Sequence, residues 1–155
     1  GVDTSKIVNK IRNKKFKVFR ISQDEDLTKK FKRKFDIIFS NQVLYYLNDK
    51  SVNFFLKQFH TLLNKNGLMF TTWMAPIGNY YKLSKKIKGS EMRELNFNLR
   101  LKEKTFINFK TKNKIEKLIK KNHFKSLHYG HYDQEMNHNE VDSGSYHYLN
   151  LSKKN

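Results

Sequence analysis

From Asn48 to Gly67 the apolar residues Val52, Phe55, Leu56, Phe59, Leu62 and Leu63 recur at steps of three and one. That spacing predicts one buried face of an α-helix. Asn48 or Asp49 is placed to cap its start, and Gly67 to end it. The flanking runs 35–40 (FDIIFS) and 68–73 (LMFTTW) are too short for helices. Residues 35–40 are close to continuously apolar, which suits a central parallel strand covered on both faces. A second helix is expected after the cap Thr111, with Ile115, Leu118 and Ile119 turned inward.

The remaining pattern is weaker. Residues 1–5 (GVDTS) read as a strand running into a turn, with Thr4 or Ser5 capping a helix that carries Ile7, Val8 and Ile11. Residues 16–21 (FKVFRI) predict a strand, and the acidic residues that follow predict a loop. Residues 124–132 and 146–151 read as two final strands, separated by a polar loop over 134–144. With no helix between them, these two strands should pair antiparallel or meet as neighbours across the loop. The stretch 74–110, with the chain's one proline at Pro76, shows no clear period and is expected to be an irregular insertion within a single domain over 1–155. Strands alternating with helices imply an α/β fold with a largely parallel sheet.

Composition narrows the classes. The 155 residues contain no cysteine, so disulfides and thiolate metal sites are excluded. No apolar run is long enough for a membrane helix, and no signal peptide is visible. A cytoplasmic setting is the expectation. The net charge of +18 admits nucleic acid as a partner. However, the lysines are spread along the chain, and they accompany an abundance of Asn, Ile, Phe and Tyr. That joint bias is more readily explained by an A/T-rich coding sequence than by an RNA-binding surface.

The segment 35–49 (FDIIFSNQVLYYLND), the helix after it and residues 62–73 (LLNKNGLMFTTW) resemble the fourth strand, following helix and fifth strand of class I S-adenosylmethionine (SAM)-dependent methyltransferases. Residues 1–5 resemble the end of that family's second strand, and the C-terminal helix and two strands resemble its last helix, sixth and seventh strands. The resemblance implies a Rossmann-like, mostly parallel sheet with a C-terminal antiparallel strand, SAM as cofactor and a small-molecule or sugar-like methyl acceptor. The family's glycine-rich loop belongs upstream of residues 1–5, and the six glycines here form no G-x-G. The chain also begins with Gly1 rather than Met. The expectation is therefore a domain lacking the first strand and glycine-rich loop, with weak or no SAM binding of its own. An RNA-binding or RNA-methylating role is the alternative.

By the same resemblance, Asp3 would accept hydrogen bonds from the ribose hydroxyls and Thr4 would pack on the adenine. One of Gln23, Asp24 and Glu25 would meet the adenine amino group, with the register leaving all three open. Ser40, Asn41 and Gln42, closing the fourth strand, would lie under the methionine part and the reactive sulfonium, with Asn41 the best placed to hold the amino acid group or a substrate hydroxyl. Tyr45, and Tyr80 and Tyr81 from the substrate-covering insertion, are candidate acceptor contacts. Catalytic residues remain unassigned, since methyl transfer needs alignment more than a base. His147, His123, His128 and His131 are the available imidazoles, and His128-x-x-His131 is a poor metal pair because a strand turns the two to opposite faces.

Overall fold

The computed structural model describes residues 2–3, 17, 19–22, 24–98, 103–138 and 141–155. The helix expected at 5–11 lies outside them. Two short strands, β1 (Val2–Asp3) and β2 (Phe19–Arg20), pair in parallel. A four-stranded sheet follows, with spatial order β3 (Phe35–Ser40), β4 (Leu63–Met74), β9 (Val141–Lys154) and β8 (Phe124–His138). β3 and β4 are parallel, while β9 lies antiparallel to both β4 and β8. The fold is α/β with a mixed sheet.

The helix α2 (Asp49–Leu62) forms as its pattern requires. Asn48 caps it, its side chain accepting from the Ser51 N–H at 2.8 Å. Val52, Phe55, Leu56, Phe59 and Leu62 are buried. They pack with Met69 and Trp73 of β4 and with Ile115 and Ile119 of α4 (Lys112–Lys121) in one hydrophobic core. Thr111 caps α4 by accepting from the Lys114 N–H at 3.3 Å. A short helix α1 (Leu27–Lys30) is capped by Asp26, and its buried Leu27 docks on α2 through a 2.5 Å bond from the Leu27 N–H to Gln58 Oε1.

Four local expectations change. Gly67 does not cap α2, because the helix stops at Leu62 and Gly67 lies inside β4. A Cβ at Gly67 would stand 3.0 Å from both Asn64 O and Leu63 Cδ2, a close approach that favours glycine there. Residues 134–138 and 141–144 of the polar stretch are strand rather than loop. β8 and β9 continue as a ribbon paired out to His138 and Val141, because backbone pairing needs no apolar side chains. The insertion is more regular than expected, holding α3 (Asn79–Leu83), β5 (Lys85–Lys86), β6 (Arg93–Asn98) and β7 (Glu103–Ile107), the three strands forming an antiparallel sheet. Finally, β3 is an edge strand of its sheet among the described residues, and Ile37 and Phe39 are 63% and 65% exposed.

Candidate functional site

The carboxyl ends of β3 and β4 point the same way, and side chains from four segments meet beside them. β3 closes at Ser40, which is buried, and Asn41 follows exposed. Gln42 then adopts φ 54°, in the left-handed region. In this conformation its N–H donates to Thr72 Oγ1 of β4 at 2.6 Å. Its side-chain amide donates to the Tyr132 hydroxyl and to Gln134 Oε1 of β8, each at 3.2 Å. One residue thus ties the tip of β3 to both β4 and β8.

A 3-10 turn over Leu44–Tyr46 buries Leu44 and Tyr45. The Tyr45 ring lies 5.5 Å from that of His147, which pairs across from Met74 at the end of β4. On the other side His147 pairs with Tyr132, and the two rings stack at 4.7 Å and 4°. His147 is 1% exposed. Its Nε2 is 2.7 Å from Ser145 Oγ, whereas Nδ1 is buried with no hydrogen-bond partner in the protein. Burial pulls the imidazole pKa down to about 4, against a weaker upward pull from Asp133. The imidazole is therefore neutral at physiological pH. Burial also pushes the Tyr45 phenol up, with Tyr46, Tyr132 and Tyr80 adding to the effect.

The insertion is fastened to this corner by a polar lock. Asn108 donates its N–H to Tyr45 O at 2.7 Å, and its side-chain amide to Leu47 O and Asp49 Oδ1, both at 2.9 Å. The Lys110 side chain is 2% exposed and its ammonium bonds Asp49 and Asn108 Oδ1. Burial lowers the Lys110 pKa, with Asp49 opposing. Burial alone would raise Asp49, but bonds from Lys110 and Asn108 prevail and hold it below the usual carboxylate range. The lock sets the 3-10 turn and hence the position of Tyr45.

The expected site residues are placed unevenly. Asp3 ends β1, opposite Arg20 of β2. Thr4 and Gln23 lie outside the described residues. Glu25 is already engaged, accepting from the Ser22 N–H at 3.0 Å and from Lys30 at 2.7 Å, and the Lys30 bond holds its carboxyl low. Asp24 stands exposed in the turn. Ser40 and Asn41 close β3. Tyr45 and Tyr80 are buried together with Met74, Leu95, Ile107 and Phe109, and Tyr81 packs against that cluster. Tyr81 also takes the Arg93 guanidinium over its ring at 4.5 Å. Gln42 was expected at the end of the fourth strand, whereas Tyr132, Ser145 and the lock were not singled out from the sequence. Gln42 and Tyr132 lie 90 positions apart, and no local pattern links them. Among the described residues no group of three His, Cys, Asp or Glu side chains is arranged to hold a metal, and no helix is long and apolar enough to cross a membrane.

A parallel pair β3–β4, extended by a reversed β9 that sits between β4 and β8, defines the class I SAM-dependent methyltransferase fold. The family model for a methyltransferase domain matches residues 1–129, and the chain belongs to that family. A ubiquinone biosynthesis O-methyltransferase of Pelagibacter ubique is 38% identical over 76 residues, which is 45% of this chain and 30% of that protein. A SAM-dependent methyltransferase of Methanosarcina mazei superposes with a TM-score of 0.68 at 10% identity, covering 88% of this chain and 66% of its own. A SAM-dependent methyltransferase of Clostridium acetobutylicum gives 0.61 at 16% identity, covering 99% and 73%. The chain therefore spans about a third of the curated relative and about two-thirds of the first of these structures. The same fold in the magnesium protoporphyrin IX methyltransferase of Synechocystis, TM-score 0.53 at 10% identity over 89% of this chain and 50% of that one, holds S-adenosylhomocysteine (SAH).

Proposed function

We propose that this domain serves the transfer of a methyl group from SAM to a small-molecule acceptor. The observation that carries the reading is the corner beside β3 and β4. An exposed amide at Asn41 adjoins a polar and aromatic group formed by buried Tyr45 and His147 with half-buried Gln42 and Tyr132. In open α/β sheets ligands sit beyond the carboxyl ends of the strands. The residue types at these ends fit a nucleoside with an amino-acid arm. Asp3 is the ribose carboxylate and Thr4 the adenine contact. Asp24 or Gln23 meets the adenine amino group, because Glu25 is taken up by Ser22 and Lys30. Ser40 and Asn41 hold the methionine part.

SAM brings the methyl group already activated on its sulfonium. The work left to the chain is alignment of the acceptor and exclusion of water, which buried Tyr45 and Tyr80 perform on the acceptor side. The relative named for O-methylation supports an acceptor hydroxyl.

Titration of the ¹⁵N-labelled 155-residue chain with SAH tests this. The amides of Asp24, Ser40 and Asn41 are expected to shift, with an affinity weaker than micromolar because the chain contains no G-x-G. Absence of any shift at the ends of β1 and β3 at millimolar SAH would overturn the reading.

A further inference from the structure

We propose that the amino end of the parallel strands, opposite the candidate site, binds single-stranded nucleic acid, with phosphates on Lys34, Lys120, Lys125 and Lys154 and one unpaired base in the cavity between α4 and β8. This surface is separate from the corner proposed for methyl transfer and does not depend on it.

The first observation is where the topology gathers charge. β3, β4 and β8 begin at this end and β9 finishes there, with Phe35 opposite Leu63, Leu68 opposite Lys153 and Phe124 opposite Lys154. α2 and α4 finish at the same end. Lys34 donates to Thr61 O, Lys154 to Leu63 O at 2.9 Å, and the Asn155 N–H to His123 O at 3.2 Å. The segments that meet here, 32–36, 60–66, 116–126 and 151–155, carry ten Lys and Arg against two acids, Asp36 and Glu116. The whole chain has 32 against 14. Lysines dispersed along the sequence are thus concentrated by the fold, and a one-signed surface of this kind attracts polyanions. Asp36 is engaged by the Asn64 amide at 2.7 Å. Among the described residues no acid pairs with Lys34, Lys120, Lys125 or Lys154.

The second observation is a pair of imidazoles at the same end. The His60 ring lies 5.7 Å from that of His123 and 5.4 Å from Phe124. Its Nε2 is buried with no hydrogen-bond partner among the described residues. Burial, then Lys154, His123 and Lys34, pulls the His60 pKa down, so the charges that reach it are all positive. His123 is exposed and held at φ 61°, at the end of α4 where glycine is usual. A phosphate supplies the counter-charge that this cluster lacks.

The third observation is a cavity of about 350 Å³ between α4 and β8. Ile119 and Phe124 give it an apolar wall, Lys120, Lys125 and Asn155 a polar rim, and Glu116 is the acid on that rim. An unpaired base offers an apolar face with phosphates on either side, which matches such a wall and rim; a duplex keeps its bases stacked inside. None of the large hydrophobic side chains that stand exposed belongs to these four segments. The inserted apolar area that strengthens binding to a membrane surface is therefore missing here.

β3 and β8 lie three strand spacings apart, about 14 Å, room for about three or four phosphates. The test is fluorescence anisotropy of a fluorescein-labelled oligouridylate with the 155-residue chain. The logarithm of affinity should fall against the logarithm of salt concentration with a slope of about −2 to −3. Lys120→Glu with Lys125→Glu should weaken binding about tenfold or more and make the slope shallower by about 1.4. Lys85→Glu with Lys86→Glu makes the same charge change on exposed β5 of the insertion and should cost less than about threefold. In the wild-type protein the amides of Lys120, His123 and Lys125 should shift on adding the oligonucleotide. Equal losses in the two double variants, or amide shifts confined to other regions, would overturn the proposal. So would vesicles of equal parts phosphatidylcholine and phosphatidylserine being bound through Lys120 and Lys125 while the oligouridylate is not. Should the charge reversals prevent folding, the wild-type amide shifts decide.

Discussion

One face of the β3–β4–β9–β8 sheet carries Ile38, Met69, Trp73, Tyr148 and Tyr129 beneath α2 and α4. The other carries Ile37, Phe39, Leu68, Phe70, Leu149 and Leu151 by the same pairing registers. Both faces are apolar, yet Trp73 is fully buried whereas Phe39 is 65% exposed and stacks on Phe70 at 4.6 Å. Among the described residues the second face is covered towards the strand ends, where Met74 and His147 meet the insertion. Hydrophobic content therefore does not distinguish the faces; what lies over each of them does. An apolar face of this extent marks a surface that normally meets another element.

The largest test of this contrast is Trp73→Ala. It removes the biggest side chain of the covered face and the bond from its indole N–H to Thr71 Oγ1 at 2.9 Å. A loss of about 3–5 kcal/mol in urea unfolding is expected. A loss below about 1 kcal/mol would mean that the covered face is no better packed than the bare one.

At the tip of the second face, pH offers the next test. The folded-state pKa of His147 is about 4 against the ordinary 6.5. Between these values the unfolded chain binds a proton that the folded chain refuses, so stability falls as the pH drops from 6.5 towards 4. The full swing is about 3 kcal/mol, and it is absent at higher pH. His147→Phe should flatten that part of the urea-stability profile. An unchanged slope in the variant would remove His147 from the buried cluster.

The smallest effect is expected on the bare face. Phe39→Ser loses a stacked cross-strand pair but little buried area, and should cost less than about 1 kcal/mol. It should also reduce self-association in light scattering. A loss as large as that of Trp73→Ala would show that Phe39 is covered in solution.

Legibility followed the range of the signal. α2 and α4 could be read because cap and apolar period both lie within one short window, and both elements appear where they were placed. The end of α2 was misread because glycine serves equally as a helix stop and as a point of close approach, and only the 3.0 Å spacing at Asn64 O distinguishes the two. The β8–β9 ribbon was missed because Gln134, Glu135 and Asn137 carry no apolar alternation, although their backbones complete a ladder. Of the proposed site, the placement of Asp3, Ser40 and Asn41 at strand ends could be read from the position of their strands. The pairing of Gln42 with Tyr132, and of Lys110 with Asp49, could not.

The sequence by itself determined which segments become helix and strand in the centre of the chain and that the class is α/β, because periodicity, caps and short apolar runs act through neighbouring residues. Only the tertiary structure decided that β9 slips between β4 and β8, that Ile37 and Phe39 of one apolar face are exposed among the described residues, and that an imidazole is sealed beside Tyr132 with one nitrogen unmatched. Those outcomes depend on contacts between residues far apart in the chain, whose energies no local pattern encodes.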